Sequence, residues 1–111
     1  MGIILKVFEG RGVMSNNRHR WSFEEDAYCS EICVEYFVLK KSDISVGALI
    51  EELSDRFPCI LPNSLKMKVQ NIKQILDEEG IENSLNVRPL SNYSQQNRRA
   101  MDTVLKKHGL A

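Results

Sequence analysis

At 111 residues, 42% of them apolar, the chain has material for one small hydrophobic core and not for two. Its 15 Lys and Arg balance 15 Asp and Glu, which excludes a global basic field, so any attraction to nucleic acid must come from a local patch. Cys29, Cys33 and Cys59 lack CxxC spacing, and His19 and His108 lie near opposite ends, so neither a disulfide framework nor a metal or cofactor site is expected.

No run reaches the roughly 18 apolar residues of a membrane span, and no charged-then-apolar signal segment precedes a cleavage site. A cytoplasmic protein with reduced thiols is expected. The opening MGIILKVFEGRGV reads as an added extension, residues 1–13, because MSNNRHRW from Met14 has the look of a natural start. Glu9 to Gly12 can be encoded almost wholly by purines, as a translated ribosome-binding site ahead of an internal start codon would be. The competing reading is a short β-strand over Ile3 to Phe8, a β-prone run whose partner would be another chain or an extended piece near Leu85 to Val87. Residues 14–111 then form a single helical domain.

Ser22 and Glu25 have capping-box spacing, so a first helix starts at Ser22 and buries Cys29, Ile32, Cys33, Tyr36 and Phe37. Ser42 or Ser45 caps a second helix, whose Val46, Leu49, Ile50, Leu53 and Phe57 keep the helical period until Pro58 stops it. Asn63 or Ser64 caps a third, burying Leu65, Val69, Ile72, Ile75 and Leu76 and ending at Gly80. A polar connector over 81–93 wraps the body on Leu85, Val87 and Leu90. Ser91 or Ser94 opens a fourth helix that buries Ala100, Met101, Val104 and Leu105 and stops at Gly109. The expected fold is all-α: four helices in a compact domain, the second and third arranged as a helix-turn-helix.

Enzymatic chemistry needs a nucleophile, an acid–base pair or a metal within mutual reach, and no motif supplies one. Cys29 and Cys33 share the apolar face of the first helix, and Glu24, Glu25 and Asp26 suit a helix N-terminus. The expectation is a non-catalytic protein. The polar side of the third helix carries Lys66, Gln70 and Lys73 on one stripe, with Asn71 beside it and Lys68 on the flank, an inventory suited to phosphates and base edges in a major groove. Arg18 and Arg20 would extend it as a basic arm. Charge is also segregated along the chain: Met1 to Arg20 holds four bases and one acid, and Trp21 to Tyr36 holds five acids and no base.

The run Trp21-Ser22-Phe23-Glu24-Glu25-Asp26, followed by a helix-turn-helix, resembles the opening of Myb/SANT-type DNA-binding domains, although those repeats carry a tryptophan in each helix and this chain has only Trp21. A longer stretch, Trp21 to Leu105, is similar to the small helical domain found in front of some bacterial HNH endonucleases. The matching pieces are Trp21 to Glu25, Leu53-Ser54, the pattern S-x-x-M-K-x-x-N at Ser64 to Asn71, and Gly80-Ile81 with Ser84. That resemblance implies target recognition or regulation; the nuclease motif is missing, so hydrolysis does not carry over.

Two functions are expected from different classes. The first is a helix-turn-helix DNA-binding or regulatory protein of a mobile element or restriction system, with double-stranded DNA as partner, read by Lys66, Lys68, Gln70, Asn71 and Lys73 with Arg18 and Arg20. The second is a phage-encoded inhibitor of a host defence nuclease, CRISPR or restriction, docking through Glu24, Glu31 and Glu35 and the cluster Asp77, Glu78 and Glu79. An oligomeric helical scaffold, a dimer for example, is the structural alternative.

Overall fold

The computed structural model describes residues 19–111. The extension, the strand read at Ile3 to Phe8, the start at Met14 and Arg18 lie outside the described residues. Four helices follow in order: α1 (Phe23–Val34), α2 (Val46–Arg56), α3 (Pro62–Glu78) and α4 (Gln95–Lys107). The described residues contain no strand. The all-α expectation holds.

Ser22 caps α1 as a complete capping box, its Oγ accepting from the Glu25 N–H at 3.1 Å while Glu25 Oε1 accepts from the Ser22 N–H at 3.0 Å. The helix runs on into a π-helical turn, Glu35–Leu39, and ends where Lys41 takes a left-handed backbone at φ 48°. That turn buries Phe37 and Val38, and the Phe37 carbonyl accepts the Ser84 N–H at 2.8 Å, which ties the long connector to the end of α1. Ser84 Oγ adds a bond to the Ser42 carbonyl at 2.7 Å. Both would go if the connector left the body.

Ser45, not Ser42, caps α2, and Ser94, not Ser91, caps α4. For α3 the expected cap moves: Leu61 is the N-cap with no side-chain bond and Pro62 is the first helical residue, so Asn63 and Ser64 lie inside the first turn. Proline suits that position, since its missing N–H would be unbonded there and its φ is already helical. Gly80 and Gly109 end α3 and α4 at φ +69° and +71°, where an L side chain would be strained.

The core is one cluster in which Leu49, Leu53, Leu65, Ile72, Ile75, Leu76, Met101 and Leu105 are buried with Cys29, Cys33 and Phe37. α1 packs mainly on α4, and α3 touches α1, α2 and α4. The connector contributes Leu85 to the cluster, as expected, while Val87 packs at its edge. Tyr36 reaches α2, its hydroxyl donating to Glu52 at 2.8 Å, and Tyr28 meets Phe57 edge to face with centroids 5.4 Å apart. None of the described helices is long and apolar enough to cross a membrane.

Candidate functional site

Two charged residues sit inside this core. Asp26, in the first turn of α1, is fully buried, and Lys68, midway along α3, is 5% exposed. Lys68 Nζ lies 2.6 Å from Asp26 Oδ1, donates to Asn97 Oδ1 at 3.0 Å, and stands 4.6 Å from the centre of the Trp21 ring. One ammonium thus serves a carboxylate, an amide and an aromatic face, which together compensate for its desolvation. Gln96, at the start of α4, completes the arrangement by donating to Asp26 Oδ2 at 2.8 Å and to the Trp21 carbonyl at 2.9 Å. Three elements therefore meet at one ion pair. Asn97 Nδ2 and, elsewhere on α1, Ser30 Oγ are buried without a hydrogen-bond partner among the described residues.

Above the pair opens a groove of about 820 Å³. One wall is the lead-in to α1, with Trp21 and His19, whose rings meet edge to face at 5.0 Å. His19 Nε2 is 2.8 Å from Glu25 Oε1. Burial raises the Glu25 pKa, but the Ser22 N–H bond together with the hydrogen bond and charge of His19 outweighs it, holding the carboxyl below its ordinary 4.5. The floor is α3, through Ser64, Met67, Lys68 and Asn71, four residues at helical spacing on one face. The third side is Asn92, Ser94 and Gln96. No carboxylate is among the described lining residues, although Glu25 and Asp26 pair with His19 and Lys68 from behind.

Two of the four stretches that carry the resemblance meet here, while Leu53-Ser54 and Gly80-Ile81 with Ser84 are not among the lining residues. Ser64, Met67, Lys68 and Asn71 of the S-x-x-M-K-x-x-N pattern share the groove with Trp21 of the W-S-x-E-E run. Asn71 donates both amide hydrogens, to the Leu90 carbonyl at 2.7 Å and to Asn92 Oδ1 at 3.0 Å. Among the described residues, its own Oδ1 and the Asn92 amide nitrogen make no hydrogen bond.

The expected reading surface on α3 is corrected in part. Lys68 and Asn71 turn inward, Asn71 being 8% exposed, so neither reaches a base edge from the outer face. Lys73 is tied to Asn83 Oδ1 at 3.0 Å and to Asp77 at 3.3 Å, and the backbone carbonyl of Gln70 accepts the Leu90 N–H at 3.1 Å. The connector thus straps the stripe that a major groove would have to receive. Lys66 and Arg20 are exposed.

The expected acidic docking surface is largely used internally. Glu31 holds Lys107 at 3.1 Å and His108 at 2.7 Å, which clasps α1 to the end of α4. Burial raises the Glu31 pKa, yet the hydrogen bonds from His108 and Lys107 and the charge of His108 outweigh it, so the carboxyl falls below 4.5. Glu78 accepts from Tyr93, Gln74 and Arg98, Glu79 pairs with Arg98, and Asp77 takes Lys73 and Asn83. Glu24 is exposed and Glu35 half-buried.

Cys29 and Cys33 are fully buried, and desolvation pushes the Cys29 thiol up to about 12 and the Cys33 thiol further. Neither is a nucleophile at neutral pH. No group of three His, Cys, Asp or Glu among the described residues could hold a metal ion. Compared with known proteins, the chain matches no family model, no curated protein and no solved structure.

Proposed function

We propose that the chain is a small non-catalytic DNA-binding module whose contact surface is the groove over Lys68 together with its exposed basic border, in place of the outer stripe of α3. The observation that carries this reading is the groove's lining: Trp21, Met67, His19, Lys68 and a set of amides and hydroxyls, with no carboxylate among the described lining residues, Asp26 and Glu25 pairing with Lys68 and His19 from behind. Such a lining suits an anionic polymer that also offers flat apolar rings. Arg20 leads into the groove, and exposed Lys66 stands one helical step from Met67, so phosphates on either side of a bound strand have partners. The likeness of Trp21 to Glu25 and of Ser64 to Asn71 to a helical domain that accompanies nucleases points the same way. Regulation of a mobile element or restriction system is the setting that fits a binder without catalytic groups.

A mobility-shift titration with single-stranded and duplex DNA at about 50 and about 200 mM salt tests the reading, because phosphate contacts make affinity fall with salt. A retarded band at low salt that weakens at high salt is expected. No retardation of either DNA at low salt overturns it.

A further inference from the structure

We infer that the groove over Lys68 is a pocket for one unstacked nucleotide, with its phosphate at the N-terminus of α3 and its base against Trp21; this rests on the DNA-binding reading above. Its volume, about 820 Å³, is in the range of small-ligand sites. Two helices begin at its edge. Asn63 and Ser64 in the first turn of α3 and Gln96 in the first turn of α4 all line it, and first-turn N–H groups have no carbonyl of their own helix to bond. Leu61 gives α3 no side-chain cap, so those donors are not satisfied from within the chain's own cap. The α3 dipole therefore presents an end without a side-chain cap to this space, while α4 is capped by Ser94 and its Gln96 donates to Asp26.

Lys68 supplies no direct bond, and its charge is already paired with Asp26. Its ammonium is already committed to Asp26, Asn97 and the Trp21 ring, so a ligand phosphate takes its hydrogen bonds from Ser64, backbone N–H groups and the His19 ring nitrogen that does not face Glu25. The base has a separate place. Trp21 and Met67 supply flat and soft apolar surface, Met67 being 47% exposed. Asn71 Oδ1 is an acceptor, and the Asn92 amide nitrogen a donor, at neighbouring points of the rim. A donor beside an acceptor is the complement of the edge of a base, adenine for example. A base stacked inside a duplex cannot enter such a pocket, so the preferred form is a single strand or an extruded nucleotide.

Trp21 is the chain's one tryptophan, so its emission reports on the groove directly. The full chain is titrated with deoxyadenosine 5′-monophosphate, deoxyadenosine, inorganic phosphate and a short single-stranded oligonucleotide. The monophosphate is expected to change Trp21 emission saturably, deoxyadenosine and phosphate to bind at least about tenfold more weakly, and the oligonucleotide more tightly. Asn63→Asp places a carboxylate in the groove at a position where the α3 dipole favours it, so it should leave the thermal midpoint intact and weaken the monophosphate by about tenfold. Unchanged emission with every ligand, or Asn63→Asp binding as well as the parent, overturns the assignment. If duplex retardation persists with no Trp21 response, the groove is wrong and DNA binding stands; if both are absent, both readings fall.

Discussion

Lys68 and Arg98 each hold carboxylates together, in opposite surroundings. Lys68 and Asp26 are shut inside the core, with side chains 6% and 0% exposed, while Arg98, 30% exposed, gathers Glu78, Glu79 and Asp102 at the surface. In the first region the charges have lost water and every lone pair must be answered by protein; in the second, solvent answers whatever the protein does not. The difference teaches where this molecule can tolerate change. The surface cluster can be rearranged at small cost, whereas the buried pair fixes how α1, α3 and α4 meet and thereby shapes the groove.

Breaking the buried pair has the largest expected effect. Lys68→Met leaves Asp26 charged and unpaired in the core and should cost about 3–5 kcal/mol in urea unfolding, with a shift of Trp21 emission as the cation leaves its ring. Asp26→Leu combined with Lys68→Met should recover most of that loss, because two matched apolar residues carry no desolvation penalty. A double variant no more stable than Lys68→Met would show that the pair does more than answer its own charges. Next in size is Ser22→Ala, which removes half of the capping box and should cost about 1 kcal/mol, read in the same unfolding experiment.

The clasp of Glu31 with Lys107 and His108 should behave as a surface pair does. Glu31→Gln is expected to lose at most about 1 kcal/mol at neutral pH. Glu31 has a folded pKa below its ordinary 4.5, so its contribution is present above that value and is lost as pH falls through the lower folded value. Parent and variant should therefore converge as the pH falls below 4.5, and a gap that does not narrow with falling pH would contradict the ion-pair account. The gentlest test perturbs nothing: alkylation followed by mass measurement should modify exposed Cys59 in the native protein, with Cys29 and Cys33 reacting only on unfolding.

Much of the fold was legible because it depends on neighbours in sequence. The Ser22–Glu25 box, Gly80 and Gly109 as stops, and the apolar arcs of the four helices follow from local spacing, while the choice of Ser45 over Ser42 and of Ser94 over Ser91 came from the structure. The start of α3 was misplaced because Asn63 and Ser64 are good caps in isolation, while Pro62 at the first helical position outranks them.

The site was less legible. Asp26 fitted a helix N-terminus and Lys68 a polar flank, so each had a sufficient local explanation. A signal was nevertheless present: Asp26 lies three residues before Cys29 on the buried arc of α1, and Lys68 three residues after Leu65 on that of α3. An acid and a base that each interrupt an apolar arc are candidates for one another.

By itself, then, the sequence determined an all-α chain of four helices and their apolar arcs, since helical periodicity and capping act over a single turn. Only the tertiary structure decided that Lys68 would answer Asp26, that the 81–93 connector would cover the polar stripe of α3, and that Trp21, Ser64, Met67 and Asn71 would share one groove. Those pairings join residues far apart in the chain, and which charge is desolvated depends on which helices come to lie against each other.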